Sequence, residues 1–198
     1  MYLFLALLLV ANISAKDNYS LRVAYGKATA SNFAEIFGGN IKKTPLEYNV
    51  YALDAGYLYD EGMFGLPIDT HLKAGLAYYK QHVLKDTIEA TLYFKLYYNI
   101  DFLDNRIRIA LGEGISYTHG YLEPEYDEAV RDKDNHSHVL NYLDFSVDFD
   151  FGKLINQESL YGTYIGWAIK HRSGIFGAVN SVKEGGANYN TIYLENNF

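Results

Sequence analysis

The sequence contains no cysteine. Disulfides and thiol chemistry are thereby excluded, and an exported chain of this kind must be held together by other means. A basic surplus is missing as well: 17 Lys and Arg stand against 24 Asp and Glu, a net charge of −7. Nucleic acid is therefore excluded as a partner, because engaging the phosphate backbone takes clustered cations. No Gly-rich loop leads from a strand into a helix, which leaves nucleotide chemistry without support. The one long apolar stretch is the first, MYLFLALLLVANISA, and it ends in small residues. It predicts a secretory signal peptide over residues 1–15, cleaved after Ala15, with export through the Sec pathway. The stretch lacks a basic n-region, and a membrane-anchoring helix is the alternative, although the run falls short of the ~20 residues a spanning helix needs. The remainder, 16–198, suits one domain.

Aromatic residues are abundant instead: 20 Tyr and 11 Phe. Such residues favour strands and gather where a protein crosses a membrane–water boundary. Apolar residues recur at every second position in eight segments. Tyr19, Leu21, Val23 and Tyr25 form the first row, and Tyr51, Leu53, Ala55, Tyr57 and Tyr59 the second. Leu72, Ala74, Leu76 and Tyr78 lie in the third, and the fourth runs from Ile88 to Ile100. Ile107, Ile109 and Leu111 begin a fifth, which Gly112 and Gly114 are expected to bend or bulge. Leu143 to Phe151, Tyr161 to Ile169, and Ile192 to Phe198 complete the set. Period two over so many segments predicts β-structure with little room for helix.

The opposite rows are polar and carry both signs, as at His71 and Lys73, Glu89 and Lys95, Arg106 and Arg108, and Asp144, Asp148 and Asp150. Two architectures share this alternation: a soluble barrel or sandwich with apolar rows inside, and a membrane barrel with apolar rows on lipid. Segments of about ten residues, tyrosines at the row ends and a terminal Phe198 in phase with Ile192 and Leu194 favour the second. Connection lengths agree. With a periplasmic N-terminus, three of the four outward connections are the longest in the chain, as in barrels with short periplasmic turns. The expected fold is an all-β, eight-stranded antiparallel transmembrane β-barrel. A barrel of that size has a lumen filled by side chains, so function is expected on a surface.

In IGWAIKHRSGIFGAVN, His171 and Ser173 continue the apolar row of Ile165, Trp167 and Ile169. A polar residue on a lipid-facing row is costly and asks for a reason. Side chains at i and i+2 on a strand share a face. A histidine there is able to take the proton of a serine hydroxyl and activate it toward an ester.

The stretch KHRSGIFGAVNSVKEGGANYNTIYLENNF, with GEGISYTHGYLEPEY and HVLNYLDFSVDFDFG before it, resembles the PagL-type lipid A deacylases among the acyloxyacyl hydrolases. The resemblance covers the C-terminal half in motif and the N-terminal half in pattern. It implies a bacterial outer-membrane barrel with a Ser–His–acid triad on its exterior, removing the ester-linked 3-position acyl chain of lipid A without a cofactor or metal. Ser173 would be the nucleophile and His171 the general base. Asn180, with backbone N–H groups near Gly174, would form the oxyanion site. The acid slot holds Asn188 instead, in phase with Ile192, and Glu184 in the loop is the nearest acid; Gly174 follows the serine where the family often has Asn. The implied partners are lipopolysaccharide and the outer membrane, with a homodimer left open. A non-enzymatic barrel for adhesion or envelope integrity and a lipocalin-like carrier are the competing readings. His136 and His138 with Asp132 and Asp134 have metal-ligand residue types, but a solvated outer loop accounts for them better. His71 and His119 lack matching partners.

Overall fold

The computed structural model describes residues 18–175, 177–183 and 186–198. The expected signal peptide lies outside them. Eight strands follow the eight rows: β1 (Tyr19–Thr29), β2 (Asn49–Asp60), β3 (Ile68–Lys80), β4 (Thr87–Phe102), β5 (Asn105–Thr118), β6 (Val139–Asp150), β7 (Thr163–Ser173) and β8 (Gly186–Asn197). Each pairs antiparallel with its chain neighbours, and β8 returns to β1 with Val23 opposite Leu194, closing the barrel. Closure leaves no unpaired sheet edge, the condition for spanning lipid with strands. Tyr161 falls in the turn before β7 rather than in the strand.

The rows sort by environment in the reverse of a soluble protein. Leu76, Ile88, Ile115 and Ile192 on the outer wall are each more than half exposed, while Lys73, Lys95 and Glu195 inside are fully buried. So broad an apolar exterior is compatible with lipid and not with water. That inversion selects the membrane barrel over the soluble one.

The lumen is closed by charge pairs. Arg22 meets Asp54 and Asp144, and Lys95 also meets Asp144. Lys73 meets Glu195, Arg108 meets Asp148 and Glu195, and Lys170 meets Glu89. Many tyrosines belong here rather than at the rim. Tyr93 donates to Asp54, Tyr97 to Glu195, Tyr142 to Asp144 and Tyr193 to Asp148. A buried charge is tolerated only when paired and hydrogen-bonded, and the tyrosine hydroxyls use the carboxylate lone pairs the cations leave.

Gly112 and Gly114 do not bulge the fifth strand, contrary to expectation. Pairing of β5 to β4 runs without a break from Asn105 to Thr118. Gly112 makes room for a ring instead, since a Cβ there would lie 2.9 Å from Tyr93 Cδ2. Among the described residues the ladder shifts register between Leu58 and Asp60, where β2 meets β3.

Helix is also more prominent than the periodicity predicts. Among the described residues, three short α-helices sit in the connections: α1 (Phe33–Phe37), α2 (Glu123–Asp132) and α3 (Phe151–Leu154). Helix α2 plugs the outer mouth. Leu122 before it is fully buried. Glu123 accepts from the backbone N–H groups of His82, Val83 and Leu84, and Glu125 receives Arg172 at 2.8 and 3.0 Å. Proline at its first turn and acids at its N-terminus suit the helix dipole. The strand alternation breaks off here, and so gave no sign of it.

Candidate active site on the outer wall

Strand β7 runs toward the outer end of the barrel, and His171 and Ser173 occupy its last outward positions. Adjacent strands fix their neighbours: His171 lies between Leu143 of β6 and Asn188 of β8, and Ser173 between Asn141 and Gly186. These residues line an open cleft of about 1010 Å³ with Glu113, Gly174, Ile175 and Lys183.

His171 Nδ1 lies 2.7 Å from Asn188 Oδ1. The other end of the amide settles which atom is which. Asn188 Nδ2 donates to the carbonyl oxygen of Ser31 at 3.1 Å. A carbonyl only accepts, so the NH2 must face Ser31 and the oxygen must face His171. An oxygen at that distance requires a proton on Nδ1. The neutral ring then carries its free lone pair on Nε2, the tautomer a general base needs. Ser31 is itself held: it is buried, its hydroxyl donates to Asn40 O at 2.6 Å, and Lys42 N donates to the same hydroxyl.

Helix α1 lies against this wall. Phe33 meets the His171 ring edge-on, with centroids 4.8 Å apart, and Phe37 meets Phe145 at 4.7 Å. Ile169 stands in the outward row between them and is fully buried. Gly186 completes the pocket, because a Cβ there would fall 3.1 Å from His171 Cε1 and 2.3 Å from Arg172 O. Among the described residues no hydrogen bond joins His171 to Ser173; the two share a face at i and i+2.

Asn180 is placed differently. It has a left-handed backbone (φ 51°), and its Nδ2 donates to Ser137 Oγ and Val139 O at 3.0 and 2.7 Å. Both amide hydrogens are engaged outside the cleft. Glu184 lies outside the described residues. His136 and His138 pack around Tyr121, with centroids at 4.4 and 4.5 Å, and Asp132 pairs with Arg131. Lys183 N donates to Asp134. His71 faces the lumen against Tyr97, and the His119 backbone donates to Ile88 O.

Two residues of the site went unnoticed in the sequence although their phase marks them. Asn141 shares the outward row of Leu143 and Phe145, and Glu113 interrupts the row of Ile109, Leu111, Ile115 and Tyr117. Ser31 and Phe33 carry no such signal, since they sit in a long polar connection without periodicity.

No protein-family model and no curated protein matches the sequence. Among solved structures, the barrel is similar to the outer membrane enzyme PagL, with a TM-score of 0.63 at 12% identity over 90% of this chain and 99% of that one. It is also similar to Neisserial surface protein A, with a TM-score of 0.52 at 11% identity over 94% of this chain and all of the other. At such identities the likeness is one of fold: this chain has the eight-stranded architecture of outer-membrane barrels.

Proposed function

We propose that this protein is an outer-membrane serine esterase that removes an ester-linked acyl chain, the one at the 3-position, from lipid A. The observation that carries the reading is the chain Ser31 O, Asn188, His171, which leaves a free Nε2 beside a serine on the wall that faces lipid. Ser173 Oγ attacks the ester carbonyl while His171 Nε2 takes its proton. The tetrahedral oxyanion collapses, and His171 returns the proton to the departing sugar alkoxide. Water, activated by the same base, then hydrolyses the acyl-serine. Asn188 Oδ1 holds the imidazolium through Nδ1–H in both steps. It does so without a formal charge, and Glu184 is the alternative third member. The oxyanion needs donors preset around it. Asn141 is directly opposite Ser173 and mostly buried; its side chain makes no hydrogen bond among the described residues and supplies an amide N–H. The Gly174 backbone is the second candidate donor, while the Asn180 side chain would first have to leave Ser137 and Val139. The scheme uses no cofactor or metal.

Mass spectrometry of lipid A from cells with and without the protein tests the reading. One acyl mass is expected to be lost, and retained with Ser173→Ala or His171→Ala. A non-enzymatic surface barrel is the second reading, favoured by the neutral Asn188 where the deacylases carry an acid. An unchanged acyl pattern with folded protein in the membrane would establish it.

A further inference from the structure

Glu113 is out of place on this wall. It lies on the outward row of β5 between Leu111 and Ile115, with Phe94 opposite on β4 and Leu143 opposite on β6. Tyr117, on the same row, is four residues nearer the outer rim, about 13 Å along the strand. The carboxylate therefore sits below the aromatic rim, beside residues that face acyl chains. It is exposed on the wall and has no ion pair or hydrogen bond among the described residues. The lumen carboxylates, by contrast, each have a cation or several donors. An ionisable side chain on a lipid-facing row is costly and marks a functional position by default.

Its place in the cleft says what kind of partner it lacks. Glu113, Leu143 and His171 stand side by side across β5, β6 and β7, so Glu113 is two strand spacings, about 10 Å, from the base. The cleft that reaches Ser173 includes it. An ionised carboxylate only accepts hydrogen bonds. Ordinary diacyl glycerophospholipids offer acceptors at ester depth, namely their own carbonyls, and repel it. A lipid carrying amide N–H or hydroxyl groups at that depth offers donors.

We propose that Glu113 is a lipid-recognition residue: an acceptor subsite beside the His171–Ser173 pair that engages an amide or hydroxyl donor on a bound acyl lipid and so rejects glycerophospholipids. This rests on the esterase reading for its purpose but not for its test. Binding is measured in the non-cleaving Ser173→Ala protein, using the single tryptophan, Trp167 of β7, as reporter. The protein is reconstituted in vesicles of phosphatidylglycerol with brominated chains, and lipid A is titrated in as competitor. Displacement of the quenching lipid gives the relative affinity. Hydrogen bonds to charged groups are the stronger kind, so Glu113→Leu is expected to lower the preference for lipid A about tenfold, with Glu113→Gln intermediate. Glu113→Leu is also expected to resist heat unfolding at least as well as its parent, since it completes an apolar row. An unchanged preference in folded Glu113→Leu overturns the proposal. So does loss of the parent's preference on adding EDTA, which would make Glu113 a cation ligand bridging to lipid phosphate. Failure of the esterase reading looks different: no fatty acid released by the protein with Ser173 intact, whatever the binding preference.

Discussion

Replacing Asn188 with aspartate separates the two things its side chain does. The present amide faces His171 with its oxygen at 2.7 Å and Ser31 with its nitrogen at 3.1 Å. Aspartate keeps the first contact and adds a full negative charge opposite an imidazolium that forms only as the serine is deprotonated. Interactions that strengthen only in the transition state raise kcat. A charge-assisted hydrogen bond contributes roughly twice a neutral one, a gain of about 1 to 1.5 kcal/mol, or about tenfold in rate. The second contact is lost. Aspartate has no donor for the Ser31 carbonyl, and its other oxygen would face that carbonyl directly. The lost bond and the stranded acceptor cost about 1 to 3 kcal/mol of stability. Asn188→Asp is therefore expected to cleave about ten times faster and to unfold at lower temperature. Asn188→Leu removes the hydrogen bond that orients His171 and is expected to lose about a hundredfold or more. Fatty-acid release in mixed micelles gives the rates, and the heat-dependent shift in gel mobility of the barrel gives the stability. If folded Asn188→Asp is no faster than Asn188→Leu, Asn188 does not orient the base and the reasoning fails.

Other expectations concern the support of the site and the lumen. Gly186→Val would press on His171 Cε1 and the β7 backbone, and is expected to reduce kcat at least tenfold with the barrel still closed by gel mobility. Asp144→Ala leaves Lys95 in the lumen without its ion-pair partner and Arg22 with Asp54 alone, and removing one partner of a buried ion pair should cost about 3 to 5 kcal/mol in urea unfolding. Glu125 of the plug titrates: burial raises it from 4.5 to about 7 against the pull of Arg172, with Glu89 adding to the rise. The folded plug thus holds a proton that the released one gives up, and its docking weakens as pH rises from about 4.5 to about 7, by up to roughly 3 kcal/mol. Hydrogen exchange of the α2 amides at pH 5 and pH 8 should show faster opening at pH 8, and Glu125→Gln should remove the difference.

The sequence by itself determined the strands of the barrel and the row to which His171 and Ser173 belong. Side-chain direction in a strand has a period of two, so the apolar and polar rows, the number of strands and the placing of His171 and Ser173 in an apolar row follow from local spacing, while the exposure of that row on the closed barrel is what turns it outward. Glu113 and Asn141 were legible by the same rule. Expectations drawn from single residues fared less well, as at Gly112, where the glycine answers to the Tyr93 ring on another strand rather than to its own backbone. Which partners meet was decided by register and closure. Asn188 gains its orientation from Ser31, 157 residues away in the chain. Phe33 reaches His171 only because α1 folds back over β7, and α2 docks only where Arg172 and the backbone of residues 82–84 converge at the barrel mouth. A repeat of two tells a residue which way to face, but the neighbour it faces depends on how eight strands are staggered around a closed ring, and that is a property of the whole fold.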